Sequence, residues 1–180
     1  MLTVLRDVHN ALGTTTIHVT HDREEARGLA EKCAIMRGGR IVQHGELSEL
    51  LENPIDIEVA RFLGKKNVFV SEVFQEEAGK SVHTPFGKFN IDAPDACRQV
   101  MLHFPPHLLQ LSSSDGVLAT VLAISQNGLV CELTVRTTTG AELTVQMLSD
   151  AAKEIRIGSE VKVSCLTPPK VIVMGDNHNA

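Results

Sequence analysis

From residue 67 onward the chain is cut into short β-prone runs by Gly, Pro, Ser and Asp, and no other feature of the sequence restricts the fold as strongly. The runs are residues 68–74, 80–84, 87–91, 99–104, 116–125, 129–138, 142–147, 160–165 and 171–174. Short strands with regular turn signals predict an all-β sandwich or barrel over 67–180, with only 149–155 reading as a helical turn. Upstream the texture is different. Leu5, Val8 and Leu12 fall on one face of a helix over 2–12, and Gly13 is a suitable stop. Residues 14–20 are a β-branched strand, and Ala26, Leu29, Ala30 and Cys33 give one face of a helix over 22–32. Residues 33–37 and 40–44 flank Gly38-Gly39 as a hairpin, and 46–52 and 55–63 are two short helices parted by Asn53-Pro54. The change from α/β to all-β texture puts a boundary near residue 66.

The strand-to-helix switch carries the chemistry. A β-branched run ends at His21, and Asp22 and Glu25 have the D-x-x-E spacing of a helix cap and a residue reaching back to it. Ligands collect outside the carboxyl ends of strands in open α/β sheets, so His21 stands where a ligand is met. An imidazole can donate from one nitrogen while the other is held by a neighbour, and its charge changes near neutral pH. His18 is expected on the other face of the strand. The carboxylates Asp22, Glu24 and Glu25 are accounted for by a helix first turn, and Gly38-Gly39 is a turn, since no helix follows it to receive a phosphate.

Other constellations carry less. His103 and His107 are spaced i, i+4, but Pro105 and Pro106 forbid the helix that would make that spacing a metal site. Cys33, Cys97, Cys131 and Cys165 lie far apart in apolar segments with no C-x-x-C pair, which reads as buried reduced thiols rather than zinc ligands. Net charge is −5, the stretch after residue 66 has 8 Lys and Arg against 12 Asp and Glu, and Tyr and Trp are absent, which argues against a nucleic-acid partner. No apolar run reaches the length of a membrane span and the start lacks the pattern of a signal peptide, so a soluble protein is expected.

The stretch "TTTIHVTHDREEARGLAEKCAIMRGGRIVQHG" resembles the switch-histidine region of ABC transporter ATPases, in which a strand reading "VTHD" is followed by "EEA", another strand, a Gly-rich turn and G-x-I-x-x-x-G. The later region is similar to the C-terminal accessory (TOBE) domain of importer ATPases, an OB-like barrel, in "FPPHLLQLS" at 104–112, "ATVLAISQNG" and the Ile155–Val161 stretch. Where that family commonly has Arg-Pro-Glu, this chain has Phe104-Pro105-Pro106-His107. Neither G-x-x-x-x-G-K-[ST], nor an apolar run ending in Asp-Glu, nor an L-S-G-G-Q-like signature occurs.

The resemblance therefore implies the C-terminal part of an importer ATP-binding subunit. Residues 1–66 would be a remnant of the P-loop ATPase domain and 67–180 an all-β TOBE-like accessory domain. His21 would be the switch histidine, contacting the γ-phosphate of ATP in the intact enzyme. ATP and Mg²⁺ would serve the intact protein, while this chain alone is expected to hold no cofactor and not to hydrolyse ATP. The implied partners are a second copy of the chain and permease subunits at the inner face of the plasma membrane, with the chain cytoplasmic, peripheral and not inserted. The alternative is a ligand-sensing module whose β-domain binds a small oxyanion such as molybdate or sulfate. A first region with an unpaired strand and an uncovered helix face is expected to self-associate.

Overall fold

The structure, a computed structural model, describes residues 2–77 and 79–174. Its contacts divide the chain into two units, Met1–Ile55 and Asp56–Ala180.

In the first unit, α1 (Leu2–Leu12) and α2 (Arg23–Leu29) precede a hairpin of β1 (Lys32–Arg37) and β2 (Arg40–Glu46), then α3 (Leu47–Glu52). Gly38 and Gly39 have φ of 58° and 77°, the left-handed pair that a two-residue hairpin turn requires. Leu50 is fully buried, and it is the anchor of α3 in this unit.

Two expectations fail here. The strand over 14–20 does not form: the segment has no ladder partner, and Ile17 and Val19 are each 90% exposed. Strands are stabilised by neighbours, and among the described residues β1 and β2 pair only with each other, so β-branched propensity alone does not make a sheet. The α/β arrangement expected of an ATPase remnant is thus not seen among the described residues. The second helix also stops early, with Ala30 extended at φ −99° and ψ 133°, because Lys32 is already paired with Glu46 in the hairpin.

The second unit opens with α4 (Ile57–Phe62), capped by Asp56, whose carboxylate accepts from the Val59 amide at 2.7 Å. Gly64, at φ 88°, ends it: the Lys65 amide donates to Ala60 O and the Gly64 amide to Arg61 O, both at 2.9 Å. Among the described residues, ten strands follow in two antiparallel five-stranded sheets. One contains β3 (Val68–Glu76), β4 (Gly79–Thr84), β5 (Gly87–Ile91), β6 (Gln99–His103) and β12 (Lys170–Val173), in the order β12-β6-β3-β4-β5. The other contains β7 (Leu109–Ser112), β8 (Val117–Asn127), β9 (Val130–Thr137), β10 (Glu142–Leu148) and β11 (Glu160–Cys165), in the order β10-β9-β8-β11-β7. A short 3₁₀ turn at Ser149–Ala152 stands where the helical turn is expected.

Alternation decides what is buried. Along β9, Cys131, Leu133, Val135 and Thr137 point inward, and Ala119 and Val121 do so from β8 before the bulge between Val121 and Ala123. Phe104, 2% exposed, is the aromatic hub, with Phe69, Phe86 and Phe89 rings at 6.3, 5.0 and 6.2 Å. A second cluster of Ala60, Val68, Met101 and Ile172 fixes α4 to the outer side of its sheet. That packing is why the structural division precedes α4, whereas the texture of the sequence changes after it.

Candidate functional site

His21 lies in the short connection before α2, exposed to solvent, and the amide of the next residue, Asp22, is held. Asp22 Oδ1 accepts from the amides of Glu24 at 2.8 Å and Glu25 at 3.3 Å, closing the helix start. Glu25 does not reach the Asp22 amide, as a two-way cap would have it. The Asp22 amide donates to Thr20 Oγ1 at 2.9 Å, and Thr20 Oγ1 donates to Glu25 Oε2 at 2.6 Å. The hydroxyl is inserted as a relay between the two. His18 Nε2 lies 3.3 Å from the same Glu25 oxygen. The Thr20 hydroxyl, and after it His18, holds the Glu25 carboxyl below the usual range. His18 and Thr20 thereby brace the turn from which His21 projects. A Thr two residues before the capping Asp was the available sequence signal for this relay.

Asp22 Oδ1 and Glu25 Oε2 are engaged in holding the helix start. The Asp22 oxygen is spent on two amides and the Glu25 oxygen on a hydroxyl and an imidazole. Among the described residues no three His, Cys, Asp or Glu side chains cluster closely enough to hold a metal. The four cysteines are free, with Cys131 buried and the other three partly so, and burial pushes the Cys33 and Cys165 thiols up. His103 and His107 flank the turn after β6.

A second feature lies wholly within the second unit. An open pocket of about 340 Å³ is lined by Arg61, Lys65 and Lys66 together with Asn67, Val68, Phe69, Thr134, Glu142, Leu143 and Thr144. Asn67, at φ 54°, is a non-glycine residue in the left-handed region, and its side chain makes three hydrogen bonds to backbone groups of Phe104 and Thr144. Lys66 Nζ meets Glu132 Oε2 at 2.5 Å, and Glu142 Oε1 accepts from Arg136 at 2.7 Å. Across the sheet from Val68 stands His103, half-buried, its pKa pushed down to about 4 by burial and then by the charges of Lys65, Lys170 and His107. Thr134 and Thr144 are far from the cations in sequence, so spacing gave no sign of this pocket.

No protein-family model matches the chain. The Fe(3+) ions import ATP-binding protein FbpC of Streptomyces coelicolor is 34% identical over 162 residues, which is 89% of this chain and 42% of that protein. Its namesake in Pseudomonas fluorescens is 35% identical over 160 residues, 86% of this chain and 45% of that protein. The sulfate/thiosulfate import ATP-binding protein CysA 2 of Shewanella oneidensis is 33% identical over 111 residues, 59% of this chain and 30% of that protein. Among solved structures, the cytoplasmic molybdate-binding protein ModG with molybdate bound gives a TM-score of 0.47 at 17% identity, over 61% of this chain and 97% of that one. A likeness that slight decides neither fold nor ligand. The chain spans less than half the length of the import proteins it matches, and over that span it is homologous to the ATP-binding proteins of ABC importers.

Proposed function

We propose that this chain acts as part of the ATP-binding subunit of an ABC importer, with His21 as the residue that senses the γ-phosphate. The observation that carries the reading is the exposed His21 on a turn braced by Asp22, Thr20 and Glu25, inside a stretch with close relatives among import ATP-binding proteins. An imidazole there offers one N–H to a developing phosphate charge, and a turn fixed beforehand loses little entropy on contact. No phosphate-binding loop occurs in the sequence, so nucleotide affinity would come from residues outside this chain. In a subunit that carries this stretch together with such a loop, His21→Ala should lower ATP turnover by roughly 100-fold with little change in ATP affinity. Unchanged turnover would overturn the role. Titration calorimetry of the 180-residue chain with Mg-ATP should be silent.

The cellular setting follows from the same reading: cytoplasmic, held at the membrane by a permease, and paired with a second copy. Val4, Leu5, Val8 and Leu12 on α1 are 63, 44, 48 and 66% exposed, which supports a partner for the first unit. For the second unit the basic pocket favours a second role, recognition of a small oxyanion, alongside the first.

A further inference from the structure

Resting on the reading of His21 as the γ-phosphate sensor, we infer that His18 is a positioning residue for it, whose charge makes the hold on the turn carrying His21 depend on pH. Four groups form one line of contacts. His18 Nε2 lies 3.3 Å from Glu25 Oε2, the Thr20 hydroxyl donates to the same oxygen at 2.6 Å, and the Asp22 amide donates to that hydroxyl at 2.9 Å. His21 is the residue between Thr20 and Asp22. Whatever fixes the Glu25 carboxylate therefore fixes the hydroxyl that spans His21. An ordinary helix start needs none of this, because Asp22 alone accepts from the Glu24 and Glu25 amides. His18 and Thr20 add a second hold at the one place where a sensor imidazole has to be presented in a set direction.

An imidazole acts on a carboxylate differently in its two charge states. Neutral, it presents a proton at Nε2 in one tautomer and a lone pair in the other, and the lone pair repels the carboxylate oxygen. As the imidazolium it donates from Nε2 in every case, and the contact becomes charge-assisted. Protonation of His18 therefore tightens the grip on Glu25, and loss of the proton loosens it. The His18 and Glu25 side chains are 42% and 27% exposed, so the imidazole can exchange its proton with water. The charged and titratable groups around the pair are Asp22 and the Glu24–Arg27 ion pair at 3.8 Å on α2, with Arg6 and His9 from α1. Arg6 donates to Gly28 O, and His9 Nδ1 lies 3.1 Å from Thr16 Oγ1. His9 is thus a second imidazole close in sequence to the turn that meets Thr16 rather than Glu25, which makes it a control.

The test is an NMR series on the 180-residue chain between about pH 5 and 8, following the His18 and His21 rings and the Asp22 amide. The expected result is an Asp22 amide that shifts in step with the His18 ring and not with the His21 ring. Its protection from exchange, corrected for the intrinsic pH effect, should fall about two- to fivefold as His18 loses its proton, the scale of an exposed ion pair. His18→Gln keeps an N–H donor without the charge, so it should remove the step while the Glu24 and Glu25 amides stay capped. His9→Gln and His21→Ala should both retain the step. Should His18→Gln lose the cap as well, the series on the unaltered chain still decides. An Asp22 amide that follows the His21 ring alone, or a step that survives His18→Gln, overturns the inference. A step that follows His18, found together with ATP turnover unchanged by His21→Ala, upholds the pH-dependent hold and overturns the sensor reading instead.

Discussion

Asn67 pairs with Thr144 through its side chain in both directions: Oδ1 accepts from the Thr144 amide at 2.6 Å and Nδ2 donates to the Thr144 carbonyl at 2.7 Å. Thr144 sits on β10, the edge of its sheet, with Thr134 of β9 on its other side. A carboxamide has the donor and acceptor of a peptide group, so Asn67 stands where the next strand's backbone would. The same Nδ2 donates to Phe104 O at 3.0 Å, and the Phe104 amide donates back to Asn67 O at 3.1 Å. Phe104 directly follows β6 of the other sheet. One side chain thus ties the two sheets together at the mouth of the basic pocket.

Asn67→Ala should lower the stability of the second unit by about 3 kcal/mol, from three hydrogen bonds at about 1 kcal/mol each. Alanine in the left-handed region adds about 1 kcal/mol of strain, which Asn67→Gly avoids. Urea unfolding should therefore rank the unaltered chain above Asn67→Gly, and Asn67→Gly above Asn67→Ala. Equal midpoints for the two variants would show that backbone conformation at this position costs nothing.

His103 makes the second unit acid-sensitive. Its pKa in the folded state is about 4, below the usual value near 6.5, so the unfolded chain binds the proton more readily. The associated stability is complete above about pH 6.5 and is lost as pH falls toward 4. After allowance for solvent screening of a half-buried group, the loss should be on the order of 1 kcal/mol. His103→Gln should flatten this part of a stability-against-pH curve while leaving other acid transitions in place. A curve of unchanged slope between pH 4 and 6.5 would remove His103 as the cause.

The strands of the second unit were legible because alternation and turn residues are local signals. All nine expected runs appear, most within two residues of their ends. β7 was not, since Leu109–Ser112 is short, follows Pro105-Pro106, and exists by pairing with the distant Cys165 end of β11. The opposite failure occurred at 14–20, where strong β propensity met no partner strand. His21 does precede a capped helix, as expected, but the strand expected to end at it does not form. The manner of its support was not legible, because Thr20 enters the cap as an intermediary that D-x-x-E spacing does not encode. Phe104 had the same ambiguity: within the family-like stretch it read as a departure, and in the structure it is the centre of an aromatic cluster.

Removing the Thr20 hydroxyl should be felt at both ends of its relay. In Thr20→Val, Glu25 loses the hydrogen bond that contributes most to its lowered pKa, so its carboxyl should titrate at higher pH. The Asp22 amide loses its acceptor and should exchange with solvent faster. Because Glu25 is depressed in the folded state, the stability it lends is present above the usual carboxylate range and disappears as pH falls through the folded value; Thr20→Val should narrow that difference. Carbon-detected NMR titration of Glu25 reads this directly, and an unchanged titration in Thr20→Val would mean that His18 alone sets it.

The first unit should also reveal itself through association. Ile17 and Val19 are each 90% exposed on an extended, unladdered segment, and α1 shows Val4, Leu5, Val8 and Leu12 to solvent. Extended β-branched backbone with unpaired groups pairs readily with another chain, and an amphipathic helix face seeks apolar cover. Light scattering of the 180-residue chain should therefore give a mass above the 19.6 kDa of one copy, rising with concentration. Val8→Glu with Ile17→Lys should shift it toward the single-chain mass without lowering the melting transition of the second unit, whose core these residues do not enter. A monodisperse single-chain mass for the unaltered protein, with its 14–20 amides protected from exchange, would mean that the segment has found its partner within its own chain.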